Sequence, residues 1–174
     1  MDNIGHIYAV FNKSIHVWDS SNLSTTPLHT IPLDDSDKLS SVAQLIPLEV
    51  GLVCVFSQGD VHFFSFTGLE LKGKCSISSV FNTSTDDFKV LKSFIQQGSS
   101  DSATLSLLHI IKTKTDLSVV ETCIANQKSQ VVVLGRKEIK ALGKEKILDC
   151  SIDSQNQIHV IGTFYFKAFL ISTL

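Results

Sequence analysis

Residues 6–19 read HIYAVFNKSIHVWD, and residues 51–64 read GLVCVFSQGDVHFF. Each segment begins with an apolar run, turns at a short polar stretch and continues into a second run that is rich in apolar residues. Both runs contain many β-branched and aromatic residues, which favour strands over helices. A strand–turn–strand unit that returns after about 40–45 residues is typical of the blades of a β-propeller. These two segments therefore predict an all-β repeat fold.

The other apolar runs are also short and are bounded by Gly, Asn, Asp and Ser, as expected of strands. We predict strands at 7–11, 14–19, 28–33, 41–47, 52–57, 60–67, 70–76, 88–96, 104–112, 118–125, 130–135, 147–153, 157–163 and 165–172. They group into four blades over 6–33, 41–76, 88–135 and 147–172, in a single domain or fragment over 1–174. The first group lacks an inner strand and the last lacks an outer strand. We therefore expect an incomplete propeller of about four blades, as in a fragment, a truncated product or a chain that a partner completes.

Composition limits the classes of partner. The chain has 174 residues, 43% of them hydrophobic, and a formal net charge of −2, which creates no strong field for nucleic acid. Its single arginine, Arg136, also argues against a dedicated reader of phosphate or guanine. No apolar run reaches the ~18–20 residues of a membrane span, the N-terminus lacks a secretory signal, and Asp2 stands where myristoylation needs glycine. We expect an intracellular protein without a membrane partner.

Catalytic and cofactor motifs are absent from the sequence, which lacks G-x-S-x-G, G-x-G-x-x-G, a P-loop and H-E-x-x-H. The cysteines, at positions 54, 75, 123 and 150, show no C-x-x-C spacing. Cys54 and Cys150 lie in apolar runs and are predicted to be buried thiols. Four histidines recur at spacings of 46, 47 and 50 residues, but they fall on different strands of their blades: His16, His62, His109 and His159. We predict ordinary strand histidines, no enzyme, no metal and no cofactor.

Trp18 and Asp19 end the first repeat in a Trp-Asp pair that resembles the end of a WD repeat. In those repeats the tryptophan packs between blades. The matching residues of the second repeat are Phe64 and Ser65, so the pair occurs once. The pair indicates a WD-like blade with structural roles for Trp18 and Asp19, and we expect Trp18 to be buried between the first two blades.

Residues 136–146 read RKEIKALGKEK and form the only basic cluster, with the side chains Arg136, Lys137, Lys140, Lys144 and Lys146. We expect a loop between two strands. Such a loop suits contact with RNA phosphates or with an acidic protein surface. The alternative is a solvated loop with local ion pairs. The acidic stretch 34–37 (DDSD) is predicted to be a solvated turn, because it lacks the pattern of a calcium loop.

The order of these units resembles the N-terminal propeller of the nucleolar transcription-linked UTP proteins of the small-subunit processome. The resemblance rests on residues 8–19, 51–66 and 88–94, in the order strand, Asn-Lys turn, apolar-Trp-Asp, then strand, Gly turn, strand. It implies a non-catalytic scaffold that binds other protein subunits in pre-rRNA transcription and processing, with nuclear or nucleolar localisation and the cytoplasm as the alternative. A nucleic-acid-contacting propeller that uses residues 136–146, and a WD-like scaffold of a trafficking or nuclear-pore complex, remain alternatives.

Overall fold

The computed structural model describes residues 5–22, 24–33, 42–49, 51–66, 70–81, 88–96, 104–113, 117–125, 130–139, 147–153, 155, 157–162 and 166–170. Within these ranges the chain forms fourteen strands and one short 3-10 helix, so the prediction of an all-β fold is confirmed. The elements are β1 (His6–Phe11), β2 (Ser14–Asp19), β3 (His29–Pro32), β4 (Val42–Pro47), β5 (Gly51–Phe56), β6 (Asp60–Ser65), β7 (Leu71–Ser76), η1 (Ile77–Val80), β8 (Lys89–Ile95), β9 (Thr104–Lys112), β10 (Leu117–Ala125), β11 (Gln130–Ile139), β12 (Ile147–Ile152), β13 (Gln157–Gly162) and β14 (Phe166–Leu170). No helix in these ranges is long and apolar enough to cross a bilayer.

The strands form four antiparallel sheets in which neighbours in sequence are neighbours in space. We define blade i as β1-β2-β3, blade ii as β4-β5-β6-β7, blade iii as β8-β9-β10-β11 and blade iv as β12-β13-β14. Observed strand ends lie within two residues of the predicted ones, except that β11 continues to Ile139 instead of ending at residue 135. The helix η1 was not predicted, because a helix of four residues is too short to show a hydrophobic period.

The two repeated hairpins turn in different ways. Asn12 and Lys13 connect β1 to β2 with φ angles of 47° and 59°, the left-handed conformations of a two-residue hairpin turn. Gly59 precedes β6 with a φ of 94°, and a Cβ atom on it would lie 2.6 Å from Cε1 of Phe88. Glycine is therefore required at position 59 by its backbone conformation and by the aromatic ring beside it.

Three apolar clusters fill the spaces between consecutive blades. The cluster between blades i and ii joins Ile15, Ile31 and Leu33 to Leu52, Cys54, Phe56 and Phe64. The cluster between blades ii and iii includes Val53, Val55, Val61, Phe63, Leu107, Ile111, Val120 and Ile124. The cluster between blades iii and iv joins Leu108, Ile110, Leu117 and Val119 to Cys150, Ile158 and Val160. Blades ii and iii are thus covered on both faces, since alternate side chains of one sheet point to opposite neighbours.

The first strands of blades ii, iii and iv share a β-bulge. The register against the next strand shifts between Val42 and Gln44 in β4, between Val90 and Lys92 in β8, and between Ile147 and Asp149 in β12. Each bulge therefore leaves one extra residue in the first strand.

The residues that follow these bulges connect neighbouring blades. The Gln44 amide donates to the carbonyl of Ser93 at 2.9 Å and accepts from the N–H of Ser93 at 2.8 Å. The Lys92 ammonium lies 3.2 Å from Oδ1 of Asp149. Polar contacts near the bulges thus connect blade ii to blade iii and blade iii to blade iv.

Candidate interaction surface

An aromatic group lies on the face of blade i that points away from blade ii. Phe11 ends β1 with 63% of its surface exposed, and His16 and Trp18 follow on β2. The His16 ring lies 6.2 Å from the Phe11 ring and 5.7 Å from the Trp18 ring. His16 Nε2 donates to the carbonyl of Phe11 at 3.2 Å, and the Thr30 hydroxyl lies 3.2 Å from His16 Nδ1. The rings are thus held by backbone and side-chain contacts of their own sheet. We call Phe11, His16 and Trp18 the aromatic face.

The same arrangement recurs, fully covered, in blade ii. Phe56, His62 and Phe64 occupy the matching positions, and the His62 ring lies 4.9 Å from Phe56 and 6.3 Å from Phe64. All three side chains are only 4% exposed. Phe56 and Phe64 pack against the aliphatic side chains that blade i contributes to the cluster between the two blades. The aromatic face of blade i is therefore the copy of a surface that, one blade later, is covered by another sheet.

The prediction that Trp18 is buried between blades i and ii is wrong. Ile15 and Val17 are buried, whereas Trp18 is half-buried and lies outside the cluster between the two blades. The alternation of β2 explains the difference, because it places Ile15 and Trp18 on opposite faces of the sheet. The Trp-Asp pair was interpreted as a contact between blades. Trp18 does lie on a face of its blade, but on the face that points away from blade ii.

Asp19 holds the chain as it leaves β2. Its Oδ1 accepts from the Ser21 N–H at 2.8 Å and from the Ser21 hydroxyl at 2.6 Å. These two hydrogen bonds hold the pKa of the Asp19 carboxyl below its usual value, and the bond from the Ser21 hydroxyl has the larger effect. Asp19 therefore fixes a local turn at the end of β2.

The basic cluster is only partly a loop. Arg136 and Lys137 lie within β11, where they pair with Val120 and Val119 of β10, so the prediction of a loop is wrong for residues 136–139. The bulge opposite Glu121 in this pair gives β11 an additional residue. β11 forms the edge of blade iii. Lys140, Lys144 and Lys146 lie outside the described residues, and the contact with RNA or protein stays a prediction.

A buried histidine connects three strands of blade iii. The Ser93 hydroxyl lies 2.7 Å from His109 Nδ1, and the Thr122 hydroxyl lies 2.7 Å from His109 Nε2. All three side chains are buried, and burial lowers the pKa of His109 to about 3. A serine beside a histidine is also the start of a nucleophilic site, but here the histidine is 0% exposed and the serine 2%. The contacts serve to satisfy polar groups inside the sheet.

The other histidines and the cysteines show no metal site among the described residues, which hold no group of three or more potential ligands. His159 Nε2 lies 2.9 Å from Oδ2 of Asp153, and this contact is the main cause of the lowered pKa of Asp153. Cys54 and Cys150 are buried as predicted, and none of the four cysteines forms a disulfide bond. Burial raises the pKa of Cys75 and of Cys150 to about 11, so both stay protonated at neutral pH.

Comparisons with known proteins identify the architecture. No protein-family model matches the chain, and no curated protein matches it. Among solved structures, the C-terminal WD40 domain of Sif2 superposes with a TM-score of 0.55 at 12% identity, over 90% of this chain and 39% of that one. The WD40 domain of SCAP from fission yeast gives 0.53 at 11% identity, over 99% and 43%. The KlAtg21 chain in its complex with the coiled coil of AgAtg16 gives 0.51 at 7% identity, over 95% and 63%.

At sequence identities of 7–12%, these structural matches show a shared fold and nothing further. The chain spans about two fifths of the Sif2 and SCAP chains that it matches. Four consecutive antiparallel sheets, packed face to face through apolar clusters, agree with that likeness. The described residues form four blades of an incomplete WD40-type β-propeller.

Proposed function

We propose that this chain is a non-catalytic protein-interaction scaffold that binds other protein subunits of a larger complex. The observation that carries this proposal is the exposed aromatic face of blade i, whose counterpart in blade ii is 4% exposed under another sheet. Exposed aromatic side chains on a rigid scaffold are typical centres of binding energy in protein interfaces. Two matched structures are themselves complexes with proteins: fission yeast SCAP with the binding domain of SREBP, and KlAtg21 with a coiled coil of AgAtg16.

The finer proposal places the scaffold in pre-rRNA transcription and processing, with a nuclear or nucleolar location. It is supported by the resemblance of the first repeat, with its Asn-Lys turn and terminal Trp18-Asp19, to the propeller of the nucleolar UTP proteins. The test is localisation of the tagged full-length gene product together with identification of its partners. Enrichment of small-subunit processome proteins is the expected result. Enrichment of vesicle-coat, tethering or nuclear-pore proteins would replace this proposal with the alternative scaffold roles.

A second candidate function is contact with RNA through Arg136, Lys137 and the three lysines that follow. It is favoured by the position of Arg136 and Lys137 on β11, which is the edge strand of blade iii. Phosphates that are neutralised by a protein release counterions. The logarithm of the RNA-binding constant must therefore fall linearly with the logarithm of the salt concentration. We expect substitution of Arg136 and Lys137 by glutamine to flatten that slope for a pre-rRNA fragment. RNA binding with no salt dependence would exclude this contact.

The scaffold proposal is tested with a matched pair of variants. Phe11→Glu places a charge on the aromatic face, whereas Leu71→Glu places the same charge at a side chain of β7 that is 47% exposed and lies on the outer strand of blade ii. Affinity purification of the full-length product should identify proteins that Phe11→Glu loses and Leu71→Glu retains. In the wild-type protein, cross-linking with mass spectrometry should place these same partners next to Phe11, His16 or Trp18. Equal recovery of all partners by both variants would refute an interaction through this face.

A further inference from the structure

The connection between β2 and β3 is a polar loop at one end of blade i. It consists of residues 20–28, and its consecutive residues Ser24, Thr25 and Thr26 are all exposed. Exposed loops on a rigid scaffold are the parts of a folded protein that other enzymes reach most readily. The hydroxyl-bearing residues of this loop are therefore accessible to an enzyme that modifies proteins.

Thr26 and Pro27 form the only Thr-Pro or Ser-Pro pair in the sequence, because the other two prolines each follow an isoleucine. A proline biases the residue before it towards an extended backbone. It also has no N–H that a protein cleft could bury without a partner. Proline-directed protein kinases use both properties, since they bind an extended segment and select proline directly after the hydroxyl that accepts phosphate. The pair Thr26-Pro27 therefore has the chemistry of a substrate for such a kinase.

The contacts of Thr26 leave its hydroxyl available for this reaction. Both hydrogen bonds that the described structure gives Thr26 join its backbone to Ser24. The Thr26 N–H donates to Ser24 Oγ at 3.2 Å, and the Ser24 hydroxyl donates to the Thr26 carbonyl at 2.5 Å. By contrast, the hydroxyl of Ser21 in the same loop is engaged, because it donates to Oδ1 of Asp19. A kinase can thus draw residues 24–27 into its cleft without opening a strand pair.

We propose that Thr26 is a phosphorylation site of a proline-directed protein kinase, and that the added phosphate displaces the partner that the aromatic face binds. The site rests on the loop itself, whereas the displacement rests on the proposed interaction role of the aromatic face. In the reaction, Oγ1 of Thr26 attacks the γ-phosphorus of ATP, the bond from this phosphorus to the bridging oxygen breaks, and ADP leaves. The hydroxyl proton passes to the catalytic aspartate of the kinase.

The position of the loop connects this phosphate with the aromatic face. The Leu28 N–H donates to the carbonyl of Val17 at 2.7 Å, so the loop returns to the sheet beside the residue that precedes Trp18. Thr26 comes two residues before Leu28, which is a span of at most ~7 Å along the chain. Phosphorylation therefore places a charge of about −1.5 to −2 at the Trp18 end of the aromatic face.

The charges at this end make the phosphate unfavourable for a bound partner. Asp19 directly follows Trp18, and its lowered pKa keeps the carboxyl ionised at neutral pH. A protein that packs apolar side chains on Trp18 would also have to remove water from the nearby phosphate, and that desolvation disfavours binding. We therefore expect phosphorylation of Thr26 to weaken the capture of proteins through the aromatic face.

Transfer of labelled phosphate tests the site on the full-length product. A purified cyclin-dependent kinase with its cyclin and, separately, a mitogen-activated protein kinase are supplied with ATP labelled at the γ-position. Mass spectrometry of the peptide that contains residue 26 should show phosphate on Thr26 with at least one of them. Thr26→Val should abolish the labelling of this peptide and Thr26→Ser should keep it. Pro27→Ala should lower it about tenfold or more, since the kinase then buries an unpaired N–H.

The matched control is Thr25→Val, which removes the neighbouring exposed hydroxyl that no proline follows and should keep the wild-type labelling. Far-ultraviolet circular dichroism should show the same strand content in all variants. The inference is overturned if neither kinase places phosphate on Thr26, or if Pro27→Ala is labelled as strongly as the wild type.

Recovery of partners from cell extract tests the displacement with the same proteins. Kinase-treated wild type should recover about tenfold less, or lower still, of the partners that Phe11→Glu loses, whereas kinase-treated Thr26→Val should recover them in full. If the wild type carries phosphate on Thr26 and still recovers these partners, the displacement is refuted and the scaffold role stands. If Phe11→Glu retains every partner, the scaffold role fails, and the labelling of Thr26 still decides the phosphorylation site.

Discussion

The buried histidine of blade iii makes a quantitative prediction about acid. His109 is enclosed between Ser93 and Thr122, and burial lowers its pKa from an ordinary value of 6.5 to about 3. In the unfolded chain the same imidazole takes up a proton as soon as the pH falls below its ordinary pKa. Because the folded state binds that proton only near pH 3, the free energy of unfolding must fall as the pH is lowered between these two pKa values.

The magnitude follows from the width of that window. Each pH unit below the unfolded pKa removes ~1.4 kcal/mol from the stability of the folded state, so His109 contributes a loss of roughly 3 kcal/mol between pH 7 and pH 4. This is a large part of the ~5–15 kcal/mol that stabilises an ordinary domain. Asp19, Asp149 and Asp153 also destabilise the fold in acid, because their folded pKa values are lowered by hydrogen bonds. Their contribution must therefore be removed by comparison with a variant.

The variant is His109→Gln. A glutamine amide can accept from one neighbouring hydroxyl and donate to the other, but it does not titrate. Urea unfolding followed by circular dichroism at pH 7 and at pH 4 gives the acid-dependent loss for each protein. We expect the wild-type loss to exceed that of His109→Gln by roughly 3 kcal/mol. His29→Gln, which removes an exposed histidine from β3, serves as the control and should keep the wild-type loss. Equal losses in wild type and His109→Gln would refute the assignment of a buried, uncharged His109.

Three substitutions test the turns and the open face. Lys13→Gly should raise the free energy of unfolding by ~1 kcal/mol in thermal melts, because the turn holds Lys13 at a φ of 59° that glycine adopts without strain. Gly59→Ala should lower it by about 2–4 kcal/mol, since its Cβ would lie 2.6 Å from Cε1 of Phe88; a neutral effect would contradict the close approach. Trp18→Ala should cost only ~1–2 kcal/mol in urea titrations, because Trp18 is half-buried, and the ~3–5 kcal/mol of a core tryptophan would show that the face is covered.

The strands could be predicted from local sequence because their signals are local. Alternation, β-branched residues and polar turns place β5 and β6 within one or two residues of their observed bounds. The spacing of Phe and His is similar in the two repeats: four residues separate Phe11 from His16, and five separate Phe56 from His62. This similar spacing places an aromatic group in both blades.

Other features depend on contacts that sequence spacing does not show. The hydroxyls of Ser93 and Thr122 are 16 and 13 residues from His109, and only the register of β8, β9 and β10 brings them together. The exposure of Trp18 was mispredicted for a related reason. Both faces of a propeller blade are apolar, so the pattern of one strand cannot tell whether a neighbouring sheet lies on a given side.

The bulges of β4, β8 and β12 affect how the blades can be altered or exchanged. In an ordinary strand the side on which a residue stands follows from an even or odd count along the chain. The extra residue of a bulge reverses this alternation for the rest of the strand. The reversal occurs at the equivalent position of three blades, just before Gln44, Lys92 and Asp149. A blade that is transplanted together with the extra residue of its bulge would keep its core side chains on the same face of the sheet. A blade that is cut inside the bulge would turn those side chains to the opposite face. The natural boundaries of these modules therefore precede the bulge.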